Sequence, residues 1–214
     1  MAGILDLLNS DLGKQIISGV SGSTNEDPNK TAGVLTMALP VLTKALQRNA
    51  ETPEGAQSLM GALSNKHDGS ILDNLGGLFT GGVDEEVKTD GRKILGHVLG
   101  SKQAGVQQVI GQKTNMSSGA VGNILKVAAP ILMGMIGKQR QQQHINDSNG
   151  LSGMLGGLLG GNSAQNEQSF LEKVLDADGD GSVIDDVAGM FLGGGDTKKS
   201  GGGIGNLLGG LFGK

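Results

Sequence analysis

Shifted by 90 positions, residues 1–49 of this 214-residue chain align with residues 91–139 without a gap. Ile4 and Leu5 fall on Ile94 and Leu95, Thr24-Asn25 on Thr114-Asn115, and Leu35, Ala38, Pro40 and Leu42 on Leu125, Ala128, Pro130 and Leu132. Apolar character is also kept at Leu8/Val98, Ile16/Val106, Val20/Ile110 and Val34/Ile124. A correspondence on this scale is read as a duplicated supersecondary unit, and it limits the fold more than any single residue does.

Each copy has the same expected layout. A first helix spans roughly Ile4–Val20, matched by Arg92–Gln112. A polar turn follows, and then a strongly apolar helix, Ala32–Arg48 or Ala120–Arg140. Val34, Leu35, Ala38, Val41, Leu42, Ala45 and Leu46 follow a 3.6-residue period with a broad apolar face. Pro40 and Pro130 fall in the middle of these helices, where a missing N–H and a ring clash predict a kink or a break. Thr52 and Pro53 read as the N-cap and first residue of another helix. No segment alternates as a strand would. The expected fold is all-α: an internally duplicated multihelical bundle with proline-kinked central helices, followed by a C-terminal helix-loop-helix.

Composition narrows the function classes. Glycine accounts for 40 of 214 residues, against an ordinary share of about 7%. With four Phe and no Tyr or Trp, the core must come from Leu, Ile, Val, Met and Ala packed between close helices. A net charge of −4 provides no basic field for nucleic acid or anionic lipid. The absence of cysteine removes disulfides, thiolate metal sites and thiol nucleophiles together. The run "VAAPILMGMIG" (127–137) is far shorter than the ~20 residues of a bilayer span. "MAGILDLLNS" has no positive region and carries Asp6, so it makes a poor secretory signal. A soluble cytoplasmic protein is expected, with no nucleic-acid or membrane partner.

The stretch "DGRKILGHVLGSKQAGVQQVIGQKTNMSSGAVGNILKVAAPILMGMIGK" (90–138) resembles the core of the bacterial YidB-like proteins, also called domain of unknown function 937. The shared features are the "ILGHVLG" helix, the "TNMSSGAV" turn and the "APILMGMIGK" helix. The resemblance implies an all-helical fold with internal duplication. It implies no activity, because the family has none that is settled.

The sharpest chemical motif lies outside that core. In "DADGDGSVIDDV" (176–187), Asp176, Asp178 and Asp180 take positions 1, 3 and 5 of an EF-hand loop, Gly181 takes position 6, and Ser182 offers a backbone carbonyl at position 7. Apolar residues flank the loop at helical spacing: Phe170, Leu171, Val174 and Leu175 before it, Ile184, Val187, Met190 and Phe191 within and after it. Position 12 is Val187 rather than the bidentate Glu. Either Asp186 closes the shell of a shortened loop, or water completes it, and both lower affinity toward ~10⁻⁴–10⁻³ M. One calcium ion, ligated by Asp176, Asp178, Asp180, Ser182 and Asp186, is the expected cofactor. The alternative is a solvated acidic turn using Asp for capping and Gly for positive φ.

Three glycine-laced apolar segments remain: "ILDNLGGLFTGG" (71–82), "LSGMLGGLLGG" (151–161) and "IGNLLGGLFGK" (204–214). In the last, Ile204, Leu207, Leu208, Leu211 and Phe212 share one helical face. Each interior glycine costs a helix about 1 kcal/mol relative to Ala, so such segments should be helical only when docked. The first two have a body to dock on, whereas the third hangs from the linker "GGGDTKKSGGG" (193–203) and can fold back or reach a second copy.

The expected organisation is helical repeat 1 (1–82), helical repeat 2 (83–161), an EF-hand-like helix-loop-helix (162–192), the glycine-rich linker (193–203) and a short apolar docking helix (204–214). His67, His97 and His144 lack the i, i+3 or i, i+4 companions of a metal site, and His97 reads as a packing residue. Nucleophile elbows, phosphate loops and dinucleotide fingerprints are absent. The expected function is a non-enzymatic, calcium-binding helical scaffold whose partner is a second copy or another protein. The alternative is a monomeric binding module whose helical groove takes an amphipathic peptide or a small apolar ligand.

Overall fold

The computed structural model describes residues 3–159, and every regular element among them is helical. The elements are α1 (Ile4–Asn9), α2 (Asp11–Thr24), α3 (Pro28–Asn49), α4 (Pro53–Asn65), α5 (Ser70–Asp73), α6 (Leu75–Phe79), α7 (Glu85–Leu99), α8 (Gln103–Thr114), α9 (Ser118–Gln142) and α10 (Ser148–Leu159). A 3₁₀ turn, Gly100–Lys102, joins α7 to α8.

The first helix of each half differs from its expected form: it is split. Ser10 is extended (φ −74°, ψ 168°), and its hydroxyl accepts the N–H of Gly13 at 3.2 Å, so α2 starts afresh after α1. Ninety residues on, Gly100 adopts φ 55° and ψ −130° and ends α7. A side-chain cap makes one break and a backbone angle suited to glycine makes the other. Asn25 and Asn115 then end α2 and α8 in the left-handed conformation, at φ 56°, ψ 42° and φ 52°, ψ 49°.

The long helices decide one part of an expectation, the break. Both α3 and α9 run through their prolines as single helices and are not broken in two. A proline removes one N–H and leaves the carbonyl four residues earlier without its helical donor. In α9 that carbonyl belongs to Lys126, and Gly91 of α7 lies so close to it that a Cβ at Gly91 would overlap the oxygen. The carbonyl that loses its helical donor thus sits at a close helix–helix contact.

α9 is the axis of the body. Residues Val121, Gly122, Ile124, Leu125 and the run Val127–Gly137 are buried, with α7 and α8 against it and α2, α3, α4 and α5 around it. Among the described residues α9 has the length and apolarity of a membrane span, and 78% of its most apolar stretch is buried inside the fold. Leu35, Leu42, Leu95, Ile110, Ile124, Ile131, Leu132 and Leu151 belong to one continuous core to which both halves contribute.

Candidate functional site

The five expected calcium ligands (Asp176, Asp178, Asp180, Ser182, Asp186) and the five expected docking residues (Ile204, Leu207, Leu208, Leu211, Phe212) lie outside the described residues. Within residues 3–159, no group of three or more His, Asp or Glu side chains is placed to hold a metal ion. What the described body contains is two seats for glycine-laced segments, one buried polar node and one polar cleft.

The first seat lies on α2. Asn74 Oδ1 accepts the Gly77 N–H at 3.2 Å and starts α6, which has only five residues. Leu75 is buried, while Leu78 and Phe79 are half-buried. The Phe79 ring lies flat on Gly19 of α2, where any Cβ would overlap it. Eight residues earlier, Ile71 of α5 reaches Gly134 of α9 in the same close fashion. A helix this short, carrying two glycines, has no stability of its own in water and depends on these contacts.

The second seat is deeper. Asp147 Oδ1 accepts the Gly150 N–H at 2.9 Å and leads into α10. Leu151, Met154, Leu155 and Leu158 are all buried, at i, i+3, i+4 and i+7 on the face turned toward α3 and α4. The two described glycine-laced segments thus share one binding mode: an apolar stripe pressed onto the body, with glycines elsewhere on the helix.

The polar node was not apparent from the sequence. His67, in the turn after α4, is only 6% exposed, and its Nε2 lies 3.6 Å from Asp90 Oδ2 of α7. Lys66 Nζ pairs with the other oxygen of Asp90. From α9, Gln141 Nε2 donates to the Asp68 carbonyl at 2.9 Å, and Gly137 lies against the His67 carbonyl where a Cβ would overlap it. Burial pushes the His67 imidazole below its ordinary range, with Lys66 acting in the same direction and Asp90 and Asp68 in the opposite one. The exposed Asp68 carboxyl is held below its usual range chiefly by the Ser70 N–H that it accepts. The node joins α4, α7 and α9 at one point, and a spacing of 23 residues between His67 and Asp90 carries no local signal. His97, by contrast, is exposed and not a packing residue: it faces outward from α7, and only its backbone carbonyl is engaged, accepting from Asn49 Nδ2 at 3.3 Å.

The cleft lies at the α8–α9 turn. It has a volume of about 470 Å³ and is lined by Gln108, Gln112, Asn115, Met116, Ser117 and Ser118, with Gly111 at its floor. Its lining carries no titratable side chain, so it offers amide and hydroxyl hydrogen bonds and no acid–base chemistry.

The helices that make both seats, the node and the cleft lie largely within one match to known proteins: residues 6–139 fit the family described as bacterial protein of unknown function, DUF937. The chain belongs to the DUF937 family. No curated protein and no solved structure matches it. The DUF937 match covers α3, the α8–α9 turn and α9 past Pro130, and it ends inside α9, before the α10 segment and the aspartate motif.

Proposed function

We propose that this DUF937 chain, of the YidB-like kind, is a non-enzymatic helical scaffold that binds one calcium ion and self-associates through its glycine- and leucine-rich segments. In this reading two copies of one helical unit form the body, and residues 162–214 supply the EF-hand-like motif and the docking segment. The observation that carries it is the common seating of α6 and α10: the same sequence pattern, met twice in the body, is pressed onto a helical surface both times. A third segment of that pattern, residues 204–214, is then a docking element by the same physics. Asp176, Asp178, Asp180 and Asp186 with the Ser182 carbonyl are the proposed ligands for calcium, whose role is to neutralise the loop so that its flanking apolar residues can pack.

The test is light scattering after size exclusion, in EDTA and in millimolar calcium, on the full chain and on a chain lacking residues 195–214. The proposal expects an oligomer from the full chain and a smaller species from the truncated one. A monomer in all four samples overturns it and favours the single-copy binding module. An oligomer that forms only with calcium makes the aspartate loop the switch for assembly.

A further inference from the structure

The docking reading does not say where the C-terminal segment sits, but the first seat provides a specific answer. Aligned on their shared pentapeptide, Ile71–Phe79 and Ile204–Phe212 are identical at six of nine positions: Ile, then Leu-Gly-Gly-Leu-Phe. These are the side chains that hold α5 and α6 in place: Ile71 on Gly134, Leu75 in the core, Leu78 half-buried, and Phe79 on Gly19. The α10 segment shares only four of the nine with residues 204–212 and carries Leu159 where the other two have Phe. The Phe79 ring sits directly over Gly19, and the C-terminal segment carries Phe212 at that position, so the α6 seat and not the α10 seat is its closer match.

The α6 seat is also the more lightly held of the two. Its present occupant buries a single side chain fully, whereas α10 buries four. The polar ties special to the occupant are slight. Asp73 pairs with Lys138 at 2.9 Å on the surface, and Asn74 caps α6. Exposed ion pairs are worth about 0–1 kcal/mol and a cap about 1 kcal/mol. Residues 204–212 have Asn206 and Leu207 at these two places, giving up the ion pair and the cap but gaining an apolar side chain.

We propose that the C-terminal segment Ile204–Phe212 is a second occupant of the α6 seat on α2 of its own chain, in exchange with Ile71–Phe79. Reach favours the same chain over a second copy. Forty-nine residues separate Leu159 from Leu208, more than enough to cross a domain about 40 Å wide. A tether of that kind gives an effective concentration in the ~millimolar range, about a thousandfold above a micromolar second copy. This inference rests on the docking reading above and adds a control to it: the share of chains whose tail is seated in cis sets how much tail is free to link copies.

Because the protein has no cysteine, a pair introduced into the full chain reports the contact without interference. Gly22→Cys lies on α2 one turn beyond Gly19, in open space, and Lys214→Cys marks the end of the segment. Under mild oxidation the pair should close within single chains, several-fold faster than a control pairing Lys214→Cys with exposed Lys113→Cys on α8. Adding Phe79→Ala, which loosens the present occupant, should raise that rate, and adding Leu208→Asp with Phe212→Asp should reduce it to the control level. Equal rates for the two pairs, or a rate indifferent to Leu208 and Phe212, overturn the proposal. Disulfide-linked dimers in place of closed monomers also overturn it, since they put the contact between copies. Light scattering on the same samples reports self-association independently, so either idea can fail while the other stands.

Discussion

Gly91 lies against the carbonyl of Lys126, the carbonyl that Pro130 leaves without a helical donor. In the alignment at a 90-residue shift its position corresponds to Met1, which lies outside the described residues. It is a close approach between α7 and the central helix, and it forbids a side chain on α7 at that point. Gly91→Ala would drive a methyl group into backbone and should cost about 3 kcal/mol or more. Gly96→Ala, five residues along the same helix and facing open space, should instead stabilise by about 0.5–1 kcal/mol. Urea denaturation followed by far-UV circular dichroism checks both signs in one experiment.

Thr31 is completely buried, and its hydroxyl is the one buried side-chain polar atom among the described residues without a hydrogen-bond partner. Ninety positions later stands Val121, equally buried. Thr31→Val should therefore stabilise by about 1–2 kcal/mol, since it removes an unsatisfied hydroxyl while keeping the shape. Thr43 provides the contrast. Its buried hydroxyl donates to the Leu39 carbonyl at 2.8 Å, and Thr43→Val should be neutral to destabilising by about 1 kcal/mol. Opposite shifts in denaturation midpoint are the expected result.

The His67 node makes stability depend on pH. Burial holds the folded imidazole below its ordinary value of 6.5, so the unfolded chain binds the proton more readily. Stability should then be flat above about pH 6.5, fall as pH drops below that value, and level off once the folded imidazole is itself protonated. The groups facing the ring are Asp90, Lys66 and Asp68. Denaturation midpoints from pH 7.5 to 5 should lose most of this slope in His67→Gln.

α10 closes the described core, which predicts how the chain tolerates shortening. A chain ending at Gly161 keeps Leu151, Met154, Leu155 and Leu158 and should melt cooperatively. One ending at Asp147 loses four buried apolar side chains, each worth roughly 1.5–3 kcal/mol, and should fall by several kcal/mol after the gain in chain entropy. Calorimetry on the two truncations tests this, and the first also supplies a body on which calcium binding should be absent.

The apolar periodicity carried most of the fold. Val34 to Leu46 and Ile124 to Ile136 could bury their faces only as helices, and Thr52-Pro53 started α4 as a capping argument requires, with the Thr52 hydroxyl accepting the Gly55 N–H at 3.1 Å. The breaks at Ser10 and Gly100 were hidden because the apolar spacing continues across both, and a single cap or backbone angle decides the matter locally. The contact at the carbonyl that Pro130 deprives of its donor was hidden for another reason: it is made by Gly91, on a different helix. The His67–Asp90 pair could not be read because neither residue stands in a pattern until α4 and α7 are brought together. Glycine spacing did signal that segments 71–82 and 151–161 dock, but not that one sits shallowly on α2 and the other deeply on α3 and α4.

The central helix also bears on how the chain is made. Taken alone, α9 is the one described segment that could pass for a bilayer span, so every newly made copy carries a stretch that membrane or aggregate could claim first. The order of the helices limits that exposure. α2, α3, α4, α5, α7 and α8, which cover α9, are all synthesised before it, and among the described helices that touch it α10 alone comes after. As α9 leaves the ribosome its partners are already waiting, and burial can follow synthesis almost residue by residue. At the front of the chain the same helix would emerge before any of its partners and lose that protection.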